Sequence, residues 1–176
     1  MSQSTAEPTG SLYRLDADLS CHRMDTGFIT PNGTAFSPDD RKLYFGDSRG
    51  ETVWVYDFDL DDGVIANRRV FISSRELPGR VDGATIDADG CYWTAMVHDW
   101  SVVRWDPKGR MDRRIRLPVR HPTMCGFGGE NLDILYVTTA SNMMLSEERH
   151  AQPTAGCLFA IHGLGVCGVP EPLFGP

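Results

Sequence analysis

Two short motifs, Asn32-Gly33 and Asp82-Gly83, place an oxygen-bearing side chain directly before a glycine at matching points of a repeated layout. Residues 29–48 are ITPNGTAFSPDDRKLYFGDS and residues 79–95 are GRVDGATIDADGCYWTA. Each motif precedes a strand-like run, a turn and a second strand-like run. Carboxylate and amide oxygens are ligands that hard cations such as Ca²⁺ prefer. If the fold brings Asn32 and Asp82 together, they predict a metal or polar-ligand site.

The elements that would position these side chains form a repeat of four strands. The runs SLYRLDAD, TVWVYDFD, SVVRWDPK and GCLFAIHG share one pattern of apolar residues that ends at a turn. Measured between Leu15, Tyr56, Trp105 and Ile161, the period is about 41 to 56 residues, which is the size of a β-propeller blade. Helical periodicity is almost absent, so we expect an all-β fold. The repeat predicts a partial β-propeller with about three complete four-stranded blades plus two strands of a preceding blade.

A β-sandwich with similarly spaced strands is the competing fold, although it does not predict the same four-step pattern three times. In a propeller, the first strand of each blade lines the central channel, and residues at its start converge from several blades. Asn32, Asp82 and, in the third copy, Thr123 occupy this place. The plainer interpretation of Asn32 and Asp82 is that each is a turn residue before a glycine.

Three further residues are candidates for the channel lining. Asp47 follows the second strand of its repeat, and His98 and His121 fall in loops between strands. Asp47 is equally suited to capping a turn, and loop histidines are usually solvated. These interpretations stay open at the level of sequence.

Composition limits the possible functions. The 176 residues carry a net charge of −7, from 17 Lys and Arg against 24 Asp and Glu, which argues against binding to nucleic acid. No apolar run approaches the roughly 18 residues of a membrane span, and the first ten residues lack the features of a signal peptide. We therefore expect a flexible tail over residues 1–10, a propeller domain over residues 11–176, and no membrane partner.

The number and spacing of the cysteines indicate which compartment to expect. The five cysteines include no CxxC pair, and their odd number argues against a disulfide framework. We expect buried, reduced thiols in a cytoplasmic protein.

The ordered motifs resemble a known family. PNGTAFSPDDRKLYFGDS, DGATIDADGCYWTA, VVRWDPKGRMDRRIRLPVRHPTMCGFGG and LDILYVTTA are similar to the senescence marker protein/regucalcin/gluconolactonase family. The resemblance covers about residues 10–174. It implies a six-bladed propeller that binds one divalent cation in its channel and hydrolyses sugar lactones. By this resemblance Asn32 and Asp82 are metal ligands, and Asp82 is also the catalytic base.

The departures from the family pattern are as informative. Nothing in the sequence matches the glutamate that supplies the family's third protein ligand, nor the arginine and asparagine that grip the substrate. The chain resembles the C-terminal half of such a protein. The resemblance therefore implies a metal-dependent sugar-lactone hydrolase that is weak or incomplete as this chain alone. The alternative is a non-catalytic calcium-binding or interaction module.

The cofactor and partners implied are a divalent cation and a sugar lactone. Ca²⁺ is the first choice, with Zn²⁺, Mg²⁺ or Mn²⁺ as alternatives. Because blades bury their faces against neighbouring blades, we also expect a homo-oligomer or association with a separately encoded N-terminal half.

Overall fold

Antiparallel sheets of consecutive strands build the protein, which a computed structural model describes over residues 7–173. A two-stranded sheet, the partial blade, joins β1 (Gly10–Leu15) and β2 (Cys21–Phe28). The first blade has the order β3-β4-β5-β6, with strands Pro31–Phe36, Lys42–Asp47, Thr52–Asp59 and Val64–Ser73. The second blade has the order β7-β8-β9-β10, with strands Arg80–Ile86, Tyr92–Val97, Ser101–Trp105 and Met111–Arg116.

The third blade has three strands within residues 7–173: β11 (Pro122–Gly128), β12 (Ile134–Thr139) and β13 (Phe159–Ile161). Between β12 and β13 the chain forms a six-residue helix, α1 (Ser146–Ala151), which is too short for a helical period to show in the sequence. The all-β, propeller-type fold expected from the repeat is therefore confirmed, with one difference in the last blade.

That difference, within residues 7–173, is the missing fourth strand, which a complete third blade would have after β13. Residues 168–173 add no strand to the third blade; instead Gly168 forms an isolated bridge with Asp87 of the second blade. Pro170 and Pro172 have no N–H group to donate, so this segment is a poor sheet strand. The predicted tail falls largely on residues 1–6, which lie outside the described residues, and β1 begins at Gly10.

Apolar side chains fill the interfaces between neighbouring sheets. One cluster, which includes Phe28 and Phe45, joins the partial blade to the first blade. A second cluster, with Tyr44 and Tyr92, joins the first blade to the second, and a third, around Trp93, joins the second blade to the third. Strands β8 and β9 are buried along their whole length because sheets cover both faces of the second blade. This nearest-neighbour packing is typical of repeat architectures.

An ion-pair network centred on the buried Arg104–Asp87 pair links β9 to β10 and to the turn between β7 and β8. The Arg104 guanidinium donates from Nε to Asp87 Oδ2 at 2.7 Å, from Nη2 to Asp89 at 2.8 Å and from Nη1 to Asp112 at 2.8 Å. Trp93 Nε1 also donates to Asp87 Oδ2, at 2.7 Å. Asp87 is fully buried, and these donors satisfy the hydrogen-bonding capacity of its carboxylate oxygen.

The cysteines are all unpaired. Cys91 and Cys125 are buried, as expected, but Cys21, Cys157 and Cys167 are exposed. The prediction of burial is wrong for these three because they lie at a strand start and in loops outside the inter-blade cores. Over residues 7–173, no helix has the length and apolar character needed to cross a membrane.

The Arg104 network predicts a large effect of removing its cation. Arg104→Met should lower the free energy of unfolding by about 3–5 kcal/mol, because it leaves the Asp87 carboxylate buried without its charged partner. Urea denaturation followed by tryptophan fluorescence measures the change. The control is Arg110→Met, which removes a solvent-exposed pair with Asp106 and should change little. Equal losses in the two variants would contradict this role of Arg104.

Candidate functional site

Asn32 and Asp82 lie side by side, on the inner strands of two neighbouring blades. Asn32 Nδ2 donates a hydrogen bond to Asp82 Oδ1, and the same amide nitrogen lies 3.3 Å from Ser48 Oγ. Both Asn32 and Asp82 are half-buried. The fold thus joins two residues that are 50 positions apart in the chain.

Each of these two side chains lies at an irregularity in the pairing of its strand. Asn32 lies in β3 and Asp82 in β7, so the interpretation of both as turn residues is wrong. The register of β3 against β4 shifts between Asn32 and Ala35. The register of β7 against β8 shifts at the matching place, between Val81 and Ala84. Such bulges redirect side chains and are frequent beside functional sites.

The glycine of each motif allows the inner strands to approach closely. Gly33 has a φ of +54°, and a Cβ there would lie 2.5 Å from Tyr92 Oη and 2.8 Å from the Asp82 carbonyl oxygen. The Tyr92 hydroxyl donates to the Gly33 carbonyl at 2.6 Å and so ties the second blade to β3. At Gly83, a Cβ would lie 2.8 Å from the Thr123 carbonyl oxygen of β11. Larger residues would push the three inner strands apart.

Burial changes the acidity of the central carboxyl group. Desolvation raises the pKa of Asp82 to about 6, although hydrogen bonds from Asn32 and from the Gly83 backbone oppose the rise. Asp82 is therefore mainly ionised at pH 7 but is a stronger base than an exposed aspartate. This pKa suits a group that accepts a proton near neutral pH.

The two side chains open onto a cavity of about 340 Å³. Its polar lining consists of Thr30, Asn32, Ser48, Arg49, Arg80, Asp82 and His98. The lining thus combines a carboxylate and an amide with cationic and hydrogen-bond-donating groups. Such a cavity can bind a small molecule rich in oxygen atoms.

The structure places the other predicted residues in different roles. Asp47 is buried, and its carboxylate accepts hydrogen bonds from the backbone N–H groups of Ile29 at 2.8 Å, Thr30 at 2.7 Å and Gly50 at 3.0 Å. It therefore caps a turn, the second of the two roles expected for it. The Thr123 hydroxyl bonds to Thr138 of its own blade at 2.8 Å, and Thr123 does not line the cavity.

The two histidines form a pair. His121 Nε2 lies 3.0 Å from His98 Nδ1, with the rings perpendicular. His98 is half-buried and lines the cavity, whereas His121 is 2% exposed and lies behind it. Neither is the plain solvated residue that loop histidines usually are.

Sequence reasoning missed Arg80 and Met143, which also line the cavity. Arg80 had a detectable signal, because it precedes Asp82 by two positions on the same strand and so shares its face. Met143 had none, because it comes from the connection between β12 and β13, and only the folded chain brings that connection to the cavity.

The donor set at the centre of the site suits a hard cation. Asn32 and Asp82 both offer oxygen atoms and are in contact, but it is the Asn32 amide nitrogen that faces Asp82, while Asn32 Oδ1 accepts the Gly33 N–H at 3.0 Å. For one ion to reach both oxygens, the Asn32 amide would turn its oxygen towards Asp82. Within residues 7–173, no three His, Cys, Asp or Glu side chains form a cluster that could hold a metal ion. A cation here would rely on the Asp82 carboxylate and the Asn32 amide oxygen, with water or substrate as the other ligands.

Comparison with known proteins places this geometry in context. Residues 1–141 match the family described as SMP-30/Gluconolactonase/LRE-like region. The chain is 39% identical over 166 residues to a 6-deoxy-6-sulfogluconolactonase from Pseudomonas putida, covering 94% of this chain and 56% of the relative. It is 37% identical over 161 residues to regucalcin from Danio rerio, covering 91% and 55%.

The fold agrees with the sequence match. A crystal structure of a calcium-binding protein, regucalcin, from Agrobacterium tumefaciens superposes with a TM-score of 0.92 at 29% identity, covering 98% of this chain and 58% of that one. The chain thus spans about half the length of the relatives that it matches. From the family match and these relatives together, we conclude that the chain belongs to the SMP-30/gluconolactonase/LRE-like family.

Proposed function

We propose that the protein is a sugar-lactone hydrolase whose reaction depends on a divalent cation held by Asn32 and Asp82. The observation that carries the proposal is the direct contact of these two side chains across two blades. The names of the relatives support the substrate class, since one is a 6-deoxy-6-sulfogluconolactonase and another is a pentonolactonase from Haloferax volcanii.

Ca²⁺ fits the proposed site best because both donors are hard oxygen atoms. Zn²⁺, Mg²⁺ and Mn²⁺ remain alternatives, of which Zn²⁺ is the least suited because it is most often bound by nitrogen and sulfur. When bound, the cation would act as a Lewis acid on the lactone carbonyl.

In this proposal, Asp82 is the general base. A water molecule attacks the carbonyl carbon while the Asp82 carboxylate accepts one of its protons. The bond between the acyl carbon and the ring oxygen then breaks, and the ring oxygen takes up a proton. The product is the open-chain hydroxy acid, with one water consumed for each lactone.

The remaining polar groups of the cavity would orient the substrate. The Arg80 side chain and the His98 ring lie on the same cavity as Asp82. Donors of this kind suit the hydroxyl and carbonyl oxygens of a sugar lactone.

A non-catalytic calcium-binding module is the second candidate. It is favoured by the likeness to the Agrobacterium tumefaciens regucalcin, which is a calcium-binding protein, and by the small number of charged ligands at the site. The two candidates differ in whether lactone is turned over, so the experiments below separate them.

The first experiment concerns Asp82 and its charge. Because burial raises the pKa of Asp82 above its usual value, the folded metal-free protein gains stability at low pH and loses it as pH rises through about 6. In EDTA, we expect Asp82→Asn to be more stable than the natural protein at pH 7.5, by on the order of 2–3 kcal/mol. At pH 4 this advantage should disappear.

The same variant tests whether Asp82 binds the cation. Added Ca²⁺ should raise the melting temperature of the natural protein but not that of Asp82→Asn. Asp61→Asn, at an exposed hairpin position, is the control and should keep the calcium response. Calcium stabilisation that survives in Asp82→Asn would rule out this residue as a ligand.

A second experiment concerns catalysis. Hydrolysis of D-glucono-1,5-lactone should release acid above the spontaneous rate, and excess EDTA should abolish it. We expect slow turnover, because Asp82 is the one carboxylate that lines the cavity within residues 7–173. Replacing Asp82 with Asn should lower the enzymatic rate roughly 100-fold or more. Turnover that EDTA leaves intact would contradict a metal-dependent mechanism.

Self-association and a cytoplasmic location stay predictions. Tyr13, Leu15 and Leu19 are apolar and more than half exposed on the partial blade and the turn that follows β1. Burying such side chains against another chain is favourable. Light scattering on the purified protein should therefore give a mass of at least two chains, and a monodisperse monomer would contradict this expectation.

A further inference from the structure

The turn between β8 and β9 holds His98 in an uncommon backbone conformation. His98 has a φ of 73°, in the left-handed region that residues other than glycine rarely occupy. Outliers of this kind persist only where the surrounding structure enforces them. The conformation places His98 on the cavity that also contains Asp82.

Neighbouring contacts fix this turn. Asp99 is 5% exposed and accepts hydrogen bonds from Ser101 Oγ at 2.6 Å and from the Arg114 guanidinium. Gly79 packs so closely that a Cβ there would lie 2.5 Å from the Asp99 Cβ. His98 is thus presented to the cavity by a turn with little freedom to move.

His121 supports the His98 ring from behind. The His121 carbonyl accepts the Ala140 N–H at 2.9 Å, and its Nε2 lies 3.0 Å from His98 Nδ1. The other ring nitrogen, His121 Nδ1, is buried and has no hydrogen-bond partner.

The unpartnered nitrogen indicates which tautomers are present. If His98 Nδ1 carried the proton and donated it, His121 Nδ1–H would be a buried donor without an acceptor. Buried donors without a partner are rarer than buried acceptors without one. His121 therefore donates from Nε2–H to His98 Nδ1, and the proton of neutral His98 lies on Nε2.

The charges around the pair favour its neutral form. Burial lowers the pKa of both histidines, and the nearby cations lower it further: Arg120 and Arg80 for His98, and Arg120 for His121. Glu148 opposes this at His121 but is itself paired with Arg120 at 2.8 Å. Near neutral pH, the ring of His98 is thus a neutral hydrogen-bond donor.

We propose that His98 donates a hydrogen bond from Nε2–H to an oxygen of the lactone, and that His121 is a positioning residue that fixes the His98 tautomer. The identity of this ligand rests on the proposed function. Asp82 accepts hydrogen bonds and His98 donates them from the lining of one cavity, so the site would hold a polyhydroxylated ring between groups of opposite hydrogen-bonding character.

Nuclear magnetic resonance of the ¹⁵N-labelled imidazole rings tests the tautomer without any assay of activity. At pH 7 we expect His98 protonated at Nε2 alone, and we expect its Nε2 signal to shift when D-gluconate is added with Ca²⁺. In His121→Leu the single tautomer should be lost, whereas His121→Gln, which keeps an N–H donor, should retain it. Protonation of His98 at Nδ1, or no shift at saturating gluconate, would overturn the proposal.

Kinetics with D-glucono-1,5-lactone provide the second readout. His98→Leu should lower kcat/KM roughly tenfold, as expected for one neutral hydrogen bond, while His98→Gln should keep most of the activity. The control, His22→Gln, changes a solvent-exposed histidine outside the cavity and should have no effect. Equal activity of His98→Leu and the natural protein would overturn the role of His98. If the natural protein lacks lactonase activity, the proposed function fails, and the resonance experiment still decides the tautomer and the binding of gluconate.

Discussion

The close approach of the inner strands β3 and β7 is the constraint on which the candidate site depends. Gly33 permits it, because no side chain fits between this position and the Tyr92 hydroxyl, and the Tyr92 hydrogen bond holds it. Only at this separation can the Asn32 amide touch the Asp82 carboxylate. The glycine after each ligand candidate is thus part of the site even though it offers no functional group.

The packing between blades gives this contact its rigidity. Each blade buries apolar side chains against its neighbour, and the second blade is covered on both faces. Asp82 and His98 both belong to this most buried blade. The buried Arg104–Asp87 pair ties β9 to the end of β7 that lies farther from Asp82, so the residues that face the cavity rest on a well-supported sheet.

The site also contains groups that are unfavourable for stability. Asp82 has a raised pKa because burial disfavours its charge, and His98 has a backbone conformation that is uncommon outside glycine. Both features are understandable if the cavity binds a ligand. A cation would stabilise the charged form of Asp82, and a polar substrate would accept the hydrogen bond that the His98 ring offers.

The sequence by itself determined the all-β repeat, and it showed that Asn32 and Asp82 occupy equivalent positions in that repeat. Both follow from strand periodicity and motif spacing, which are local properties of the chain. The tertiary structure alone decided that both residues lie at strand bulges rather than in turns, that Asp47 caps a turn, and that the His121 ring contacts the His98 ring. The physical reason is that bulges, burial and the hydrogen bonds between these side chains depend on contacts between segments far apart in the chain. Such contacts arise only when the blades pack together.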